Sequence, residues 1–129
     1  MLNWRRPENL GAKDGRLAPP RRTPNCVSSQ ADPADGEHYI APIAFRGSMA
    51  DLRKAVESME RSSVITAAAN YLYAEYRTKL LRYVDDLELF YDERAGLVHV
   101  RSASRLGRRD FGVNRKRVEA LRGLIQSRR

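Results

Sequence analysis

The chain contains one cysteine, Cys26, and only two histidines, His38 and His99. A lone cysteine cannot form a disulfide within the chain, and so few histidines and cysteines do not make the clusters typical of zinc sites. No apolar run approaches the ~18 residues that span a bilayer, and none of signal-peptide length follows the N-terminus. We therefore expect a soluble, cytoplasmic protein with no transmembrane segment, no metal and no cofactor.

Proline is absent from most of the chain, since all six prolines lie within the first 42 residues. No helical or alternating pattern persists there, and a segment without helix or strand hydrogen bonds is either disordered or laid along a surface. We predict an irregular N-terminal arm at residues 1–36 and a single α+β domain at residues 37–129. The first 20 residues are expected to be loose, whereas residues 37–45 are apolar enough to pack on the domain.

The domain is predicted to contain two helices and an antiparallel sheet of about four strands. Ser48 followed by Asp51 resembles a capping box and begins the first helix. An apolar arc that includes Val118 and Leu121 marks the last helix. Two hairpins lie between the helices, because β-branched and aromatic runs are broken by turn-forming residues. The strand-forming runs are residues 62–69, 71–78, 83–91 and 96–103.

Side-chain alternation assigns the polar residues of these strands to faces. In the third run, Asp85 shares a face with three apolar residues, whereas Asp86 points to the other face. We expect both helices to cover the apolar face and to leave a mixed-charge set on the opposite face or along its rim. This set comprises Glu75, Arg77, Asp86, Glu88, His99 and Arg101.

The last helix brings a charged residue toward the core. At 100° per residue, Asn114 and Arg117 fall within the apolar arc of this helix, and Asn114 is also of a type preferred at N-caps. A buried guanidinium is costly unless it is paired. The acids best placed to pair with it are Asp85, Asp86 and Asp110. We predict structural ion pairs that involve Asp85, Asp86 and Arg117.

The whole net charge of +8 lies in residues 101–129, which hold 10 basic and 2 acidic side chains. Such a local excess attracts anions but does not choose among them. Our leading hypothesis is a non-catalytic binding domain for an anionic small molecule or an acidic protein partner, at the last strand and the start of the last helix. The ligand-binding residues would be Arg101, Ser102, Ser104, Arg105, Arg108, Asp110, Asn114 and Arg117.

Three alternatives remain open. The same arginines and acids could form only an internal ion-pair network, because structural ion pairs resemble functional sites. A nucleic-acid-binding protein fits the basic C-terminal segment but requires exposed arginines. An enzyme of unknown reaction would need a cleft with a perturbed titratable group. No catalytic residue is predicted, because Ser102 and Ser104 lack a nucleophile motif and a lone Cys26 is typical of a small buried residue.

Four segments of the chain can be compared with known families, and the last contains the long and unusual stretch "RSASRLGRRDFGVNRKR". They are "LAPPRRTPNCVSSQ", "YIAPI", "YLYAEYRTKLLRYVDDLELFYD" and "VRSASRLGRRDFGVNRKRVEALR". Together they resemble successive blocks of the uncharacterised family called domain of unknown function 1499, from about residue 10 to residue 124. The resemblance implies no activity. Many members have a second cysteine where this chain has Pro20, so we expect no cysteine-pair role for Cys26.

Overall fold

The computed structural model describes residues 5–79, 83–107 and 110–127. Within these ranges the chain forms helices and strands in the order ββαββββα. Their bounds are β1 Cys26–Ser28, β2 Ile43–Ala44, α1 Met49–Glu57, β3 Ser62–Ala67, β4 Tyr71–Arg77, β5 Val84–Asp92, β6 Leu97–Ser104 and α2 Val113–Gln126.

The strands form one antiparallel sheet. Its main path is β1-β6-β5-β4-β3, and β2 pairs with the beginning of β6. This confirms the predicted α+β class, but the sheet has six strands in the described chain rather than about four. The two unpredicted strands, β1 and β2, are three and two residues long. Strands this short carry too few residues for an alternating pattern to show in the sequence.

The N-terminal arm contacts the sheet at Arg6, Gly11 and Pro19 and pairs with it through β1. Its strand β1 holds Cys26, which is fully buried. Before β1, the Leu17 amide donates to the Gln30 side chain over 2.8 Å, and the same side chain donates to the Gly15 carbonyl over 2.8 Å. The expectation that the first 20 residues are loose is therefore wrong for residues 5–20.

The capping box predicted at the start of α1 is present. The Asp51 amide donates to Ser48 Oγ over 3.1 Å, and the Asp51 carboxylate accepts a bond from the Ser48 amide. These two bonds satisfy amides that the helix itself leaves without acceptors. The cap fixes the phase of the helix, so that Leu52, Ala55 and Val56 face the core and are 0% exposed.

Both helices cover the same face of the sheet, as the patterns predicted. α1 packs on β3, α2 packs on β6 and β1, and the two helices contact each other. Leu87, Leu89 and Tyr91 of β5 point toward them, because alternate residues of a strand share a face. Among the described residues, no helix is long and apolar enough to cross a membrane.

The opposite face of the sheet carries the charged residues of the strands. Three of its carboxylates, Glu75, Asp86 and Glu88, are only 6%, 2% and 1% exposed. The sequence predicted a mixed-charge face or rim, but it did not predict that the arm would cover most of it. We call this face the polar face, and it comprises Tyr71, Tyr73, Glu75, Asp86, Glu88, Arg101 and Arg105.

Candidate anion-binding site

The sheet separates the predicted ligand-binding residues into two clusters. Along β6, Arg101 points to the polar face, whereas Ser102 and Ser104 point toward the helices. Arg105 follows the strand and continues the alternation, so it also lies on the polar face. The residues proposed for one site therefore do not form one site, as far as the structure describes them.

The cluster beneath α2 is built around Arg117. Its side chain is 10% exposed and donates to the Asp85 carboxylate over 2.6 Å. It also donates to Asn114 Oδ1 over 2.7 Å and to Ser102 Oγ over 3.1 Å, and it lies 4.6 Å above the Tyr76 ring. A guanidinium with this set of partners is already compensated, so it is part of the internal structure.

Asn114 and Asp110 hold the start of α2 to the sheet. Asn114 is not the N-cap that its residue type indicated, because the cap position is Gly112 in a left-handed conformation with φ of 78°. Asp110 instead accepts bonds from the Gly112 amide over 2.9 Å and from the Asn114 amide over 3.2 Å. The Asn114 side chain donates to the Asn25 carbonyl and to Ser104 Oγ. These residues connect α2, β1 and β6.

The pKa of Asp110 agrees with this structural role. Burial disfavours its charged form, but the hydrogen bonds from Asn114 and Gly112 outweigh burial and lower the pKa of the carboxyl group. The carboxylate is thus the ionised acceptor that holds the first amides of α2, and its negative charge suits the positive end of the helix dipole.

The polar face contains a second network, centred on Arg105. This side chain is 7% exposed and donates to Asp86 Oδ2 over 2.9 Å and to Glu75 Oε2 over 2.6 Å. The Tyr73 hydroxyl lies between the two carboxylates and donates to Glu75 over 2.8 Å. Arg6 from the arm donates to the same Glu75 oxygen over 2.7 Å.

These contacts shift the ionisation of the groups that make them. Burial alone would raise the pKa of Glu75, but hydrogen bonds from Arg6, Tyr73 and Arg105 lower it to about 2. Burial and the neighbouring Asp86 and Glu75 carboxylates raise the pKa of Tyr73. At neutral pH the network therefore holds an ionised Glu75 carboxylate, charged guanidinium groups and a neutral phenol.

Unlike Arg105, Arg101 on the polar face pairs with none of the described carboxylates. It is 4% exposed, and its Nε has no hydrogen-bond partner among the described residues. Its one hydrogen bond there runs from Nη2 to the Pro19 carbonyl over 3.3 Å. The described residues provide it with no ion pair, and the remaining positions of the chain contain no Asp or Glu. Arg101 is thus a buried cation without a carboxylate partner.

Glu88 lies directly opposite Arg101 in the register of β5 and β6. Its Oε2 accepts bonds from the Gly11 amide over 2.7 Å and from the Tyr71 hydroxyl over 2.6 Å, whereas its Oε1 has no partner among the described residues. The Glu88 carboxylate and the Arg101 guanidinium thus remain unpaired although they lie on adjacent strands. The Gly11 amide and the Tyr71 hydroxyl hold the carboxylate in another direction.

Arg101 borders a cavity of about 380 Å³ between the arm and the polar face. We call it the arginine cavity. The arm covers one side of it, and the β5 and β6 strands provide the other. Its charged lining comprises Arg5, Arg6, Glu8 and Arg21 from the arm and Asp86, Arg101 and Arg105 from the polar face.

Sequence reasoning missed the arm residues of this cavity. Arg6 reaches Glu75 across 69 positions of the chain, and Arg21 donates to the Ser104 carbonyl across 83. No periodic pattern connects residues so far apart, and the arm has no pattern of its own that would fix its path. Arg108, which was predicted to bind a ligand, lies outside the described residues.

A Ser–His pair that the sequence did not indicate lies near the start of β6. Ser29 Oγ is 3.1 Å from His99 Nδ1, and burial lowers the pKa of His99, which favours a neutral imidazole. However, Ser29 is only 7% exposed, and its Oγ also accepts a bond from the Val100 amide over 2.8 Å. This hydroxyl joins the arm to β6 and is not presented to solvent as a nucleophile.

A group of ligand-type side chains lies at Asp35, Glu37 and His38. His38 Nε2 faces the Thr23 carbonyl at 2.9 Å, and its Nδ1 faces the Asp35 carboxylate at 2.7 Å. A carbonyl can only accept, so Nε2 carries a proton, and the carboxylate favours a second proton on Nδ1. The ring then offers no lone pair to a metal, and it acts as a cationic link between the arm and the segment that follows it.

Fold and site together define a small α+β domain with a guanidinium–carboxylate network under an N-terminal arm. A profile of the family described as "Protein of unknown function (DUF1499)" matches residues 16–125. The chain belongs to this family, as the resemblance of its segments indicated. The matched range includes Arg21, Arg101 and Arg105 but not the first residues of the arm. No curated protein and no solved structure matches the chain.

Proposed function

We propose that this protein is a non-catalytic binding domain whose arginine cavity holds an anionic small molecule. The observation that carries the proposal is Arg101, a buried guanidinium that borders a cavity and has no carboxylate partner. Burying an ion costs several kcal/mol, and a partner normally offsets this cost. An anion in the cavity would supply the partner that the chain does not.

The size and position of the cavity support this proposal. At about 380 Å³ it falls within the ~300–1,000 Å³ range of small-molecule sites. Two of its lining arginines, Arg6 and Arg105, are held in place by Glu75 and Asp86, so these side chains need little reordering when a ligand enters. Fixed guanidinium forks are well suited to carboxylate and phosphate groups.

The nucleic-acid alternative receives less support from the basic residues of α2. Arg117 is paired with Asp85, while Arg122 donates to the Pro42 and Ala41 carbonyls over 2.9 and 2.7 Å. Arg115 makes longer bonds to backbone carbonyls of the arm and its neighbouring segment. These side chains attach α2 to the rest of the domain, whereas phosphate-backbone binding requires available cations.

The proposal is tested by a thermal-shift screen of anions at constant ionic strength. An anion that binds the folded state raises the apparent melting temperature, and it should do so in the wild type but not in Arg101→Gln. Arg115→Gln removes the same charge from a half-buried position of α2 that does not line the cavity, and it should keep the shift. Equal shifts in all three proteins would mean that the anion binds elsewhere, and the proposal would be wrong.

A further inference from the structure

The charges around the arginine cavity indicate what kind of anion it accepts. Among the described residues, five guanidinium groups line it, from Arg5, Arg6, Arg21, Arg101 and Arg105. Two carboxylates, those of Glu8 and Asp86, also line it.

Two further carboxylates lie beside this lining. Glu75 bonds to Arg6 and Arg105, and Glu88 is the cross-strand neighbour of Arg101. By formal charge, five positive and four negative groups leave an excess of one positive charge. Arg101 is the almost completely buried arginine of the set to which the described residues give no carboxylate partner.

From this balance we infer that the ligand is a small organic acid with a single carboxylate, and not a doubly charged phosphate ester. The inference rests on the proposed function and specifies its ligand. One negative charge neutralises the set, whereas a second would be placed near Glu75, Asp86 and Glu88, which are almost completely buried. Like charges in such a medium repel strongly because little water is present to screen them.

The geometry of Arg101 is consistent with one carboxylate. Its Nη2 donates to the Pro19 carbonyl, and its Nε–H is buried without an acceptor among the described residues. A planar carboxylate presents two oxygens to a guanidinium edge, which gives a short charge-assisted contact. A hydroxyl group elsewhere on the same molecule could donate to Glu8 or Asp86 at the wall of the cavity.

The test compares lactate and benzoate with inorganic phosphate and glycerol 3-phosphate, with sodium chloride used to match ionic strength. Affinity is measured by calorimetric titration and by thermal shift. We expect the two carboxylates to bind more tightly than the two phosphates. Arg101→Gln should weaken carboxylate binding about tenfold or more, which corresponds to one charge-assisted hydrogen bond.

Two more variants separate the site from general charge effects. Arg53→Gln removes an exposed arginine of α1 that pairs with Glu57, and it should leave carboxylate binding unchanged. Arg21 is exposed at the edge of the cavity, so Arg21→Gln should fold normally and weaken binding severalfold. If Arg101→Gln does not fold, the Arg21 variant decides, and an unchanged affinity for carboxylates would overturn the inference.

The possible failures can be told apart. Tighter binding of the phosphates, dependent on Arg101, would overturn the single-carboxylate inference and leave the anion-binding function in place. If no anion of either kind binds, then the proposed function is wrong as well. Carboxylate binding that Arg101→Gln and Arg21→Gln leave intact would show that a different surface is responsible.

Discussion

The two faces of the sheet differ in the hydrogen-bond partners that they give to buried arginines. On the helix-covered face, Arg117 has a carboxylate, an amide oxygen, a hydroxyl and an aromatic ring as partners. On the arm-covered face, Arg105 is similarly satisfied, but Arg101 has a single carbonyl. The comparison shows that burial of a charged side chain is not itself a sign of function. The residue that indicates function is Arg101, because it is buried and the described residues give it no carboxylate partner.

The partners of the buried arginines differ because a regular helix covers one face and the irregular arm covers the other. α2 is a regular helix, so its position aligns Asn114 and Arg117 with hydrogen-bond partners on β6 and β5 at once. The arm is irregular and meets the polar face through separate contacts, at Arg6, Gly11 and Pro19. Irregular cover leaves a cavity where a regular element would have filled the space.

The largest effect is expected from breaking the satisfied pair under α2. Arg117→Ala should lower the free energy of unfolding by about 3–5 kcal/mol, because Asp85 would be left buried without its partner. Arg115→Ala, which removes a half-buried arginine of the same helix that pairs with no described carboxylate, should cost about 0.5 kcal/mol or less. Urea unfolding of both variants measures this. If both variants lose a similarly small amount of unfolding free energy, then Arg117 does not stabilise the packing of α2 in solution.

Acid should weaken the polar face through Glu75. The pKa of Glu75 in the fold is about 2, against an ordinary value of 4.5. A lowered pKa contributes stability above the ordinary value, and this contribution is lost as pH falls from about 4.5 toward 2. Urea unfolding over this range should show declining stability in the wild type and a shallower decline in Glu75→Gln. The same dependence of unfolding free energy on pH in both proteins would contradict the assignment of this effect to Glu75.

A moderate effect is expected at the start of α2. Asp110→Ala removes the acceptor of three bonds, those from the Gly112 amide and from the Asn114 amide and side chain. The loss of a capping side chain typically costs about 1–2 kcal/mol. Glu60→Ala is the matched control, because its carboxylate is 82% exposed. A fully stable Asp110→Ala protein that failed to bind anions would instead make Asp110 a functional residue.

A smaller, oppositely directed pH effect is expected from His38. Burial disfavours its charged form, but the bonds to the Thr23 carbonyl and Asp35 outweigh burial and raise the pKa of the imidazole above 6.5. A raised pKa contributes stability that is complete below 6.5 and is lost as pH rises through the folded value. His38→Gln should remove this dependence between neutral and mildly alkaline pH. A wild-type protein with no such dependence would contradict it.

The smallest effect on stability is expected from the unpaired arginine itself. Arg101→Gln should leave the free energy of unfolding unchanged within about 0.5 kcal/mol, or raise it, when no anion is present. This sets it apart from Arg117 and Arg105, whose removal leaves carboxylates unpaired. Chemical unfolding in a buffer without carboxylate or phosphate provides the measurement. A loss of several kcal/mol would show that Arg101 is part of the structural network.

The sequence alone determined much of the helix-covered face. The capping residues Ser48 and Asp51 located the start of α1, and strand alternation placed Asp85 and Asp86 on opposite faces. The phase of the last helix placed Arg117 inward, where it contacts Asp85. These predictions succeeded because each depends on a local period, which neighbouring residues enforce whatever the rest of the chain does.

Only the tertiary structure decided that Arg101 is buried without a carboxylate partner among the described residues. Ser102 and Arg101 are adjacent in sequence, and both were assigned to one site, yet the sheet separates them. The arm brings Arg6 and Arg21 over the polar face through contacts 69 and 83 positions apart. An irregular segment has no period to fix its path, so its course depends on the surface it meets once the sheet has formed. The arginine cavity exists only between these two parts of the chain.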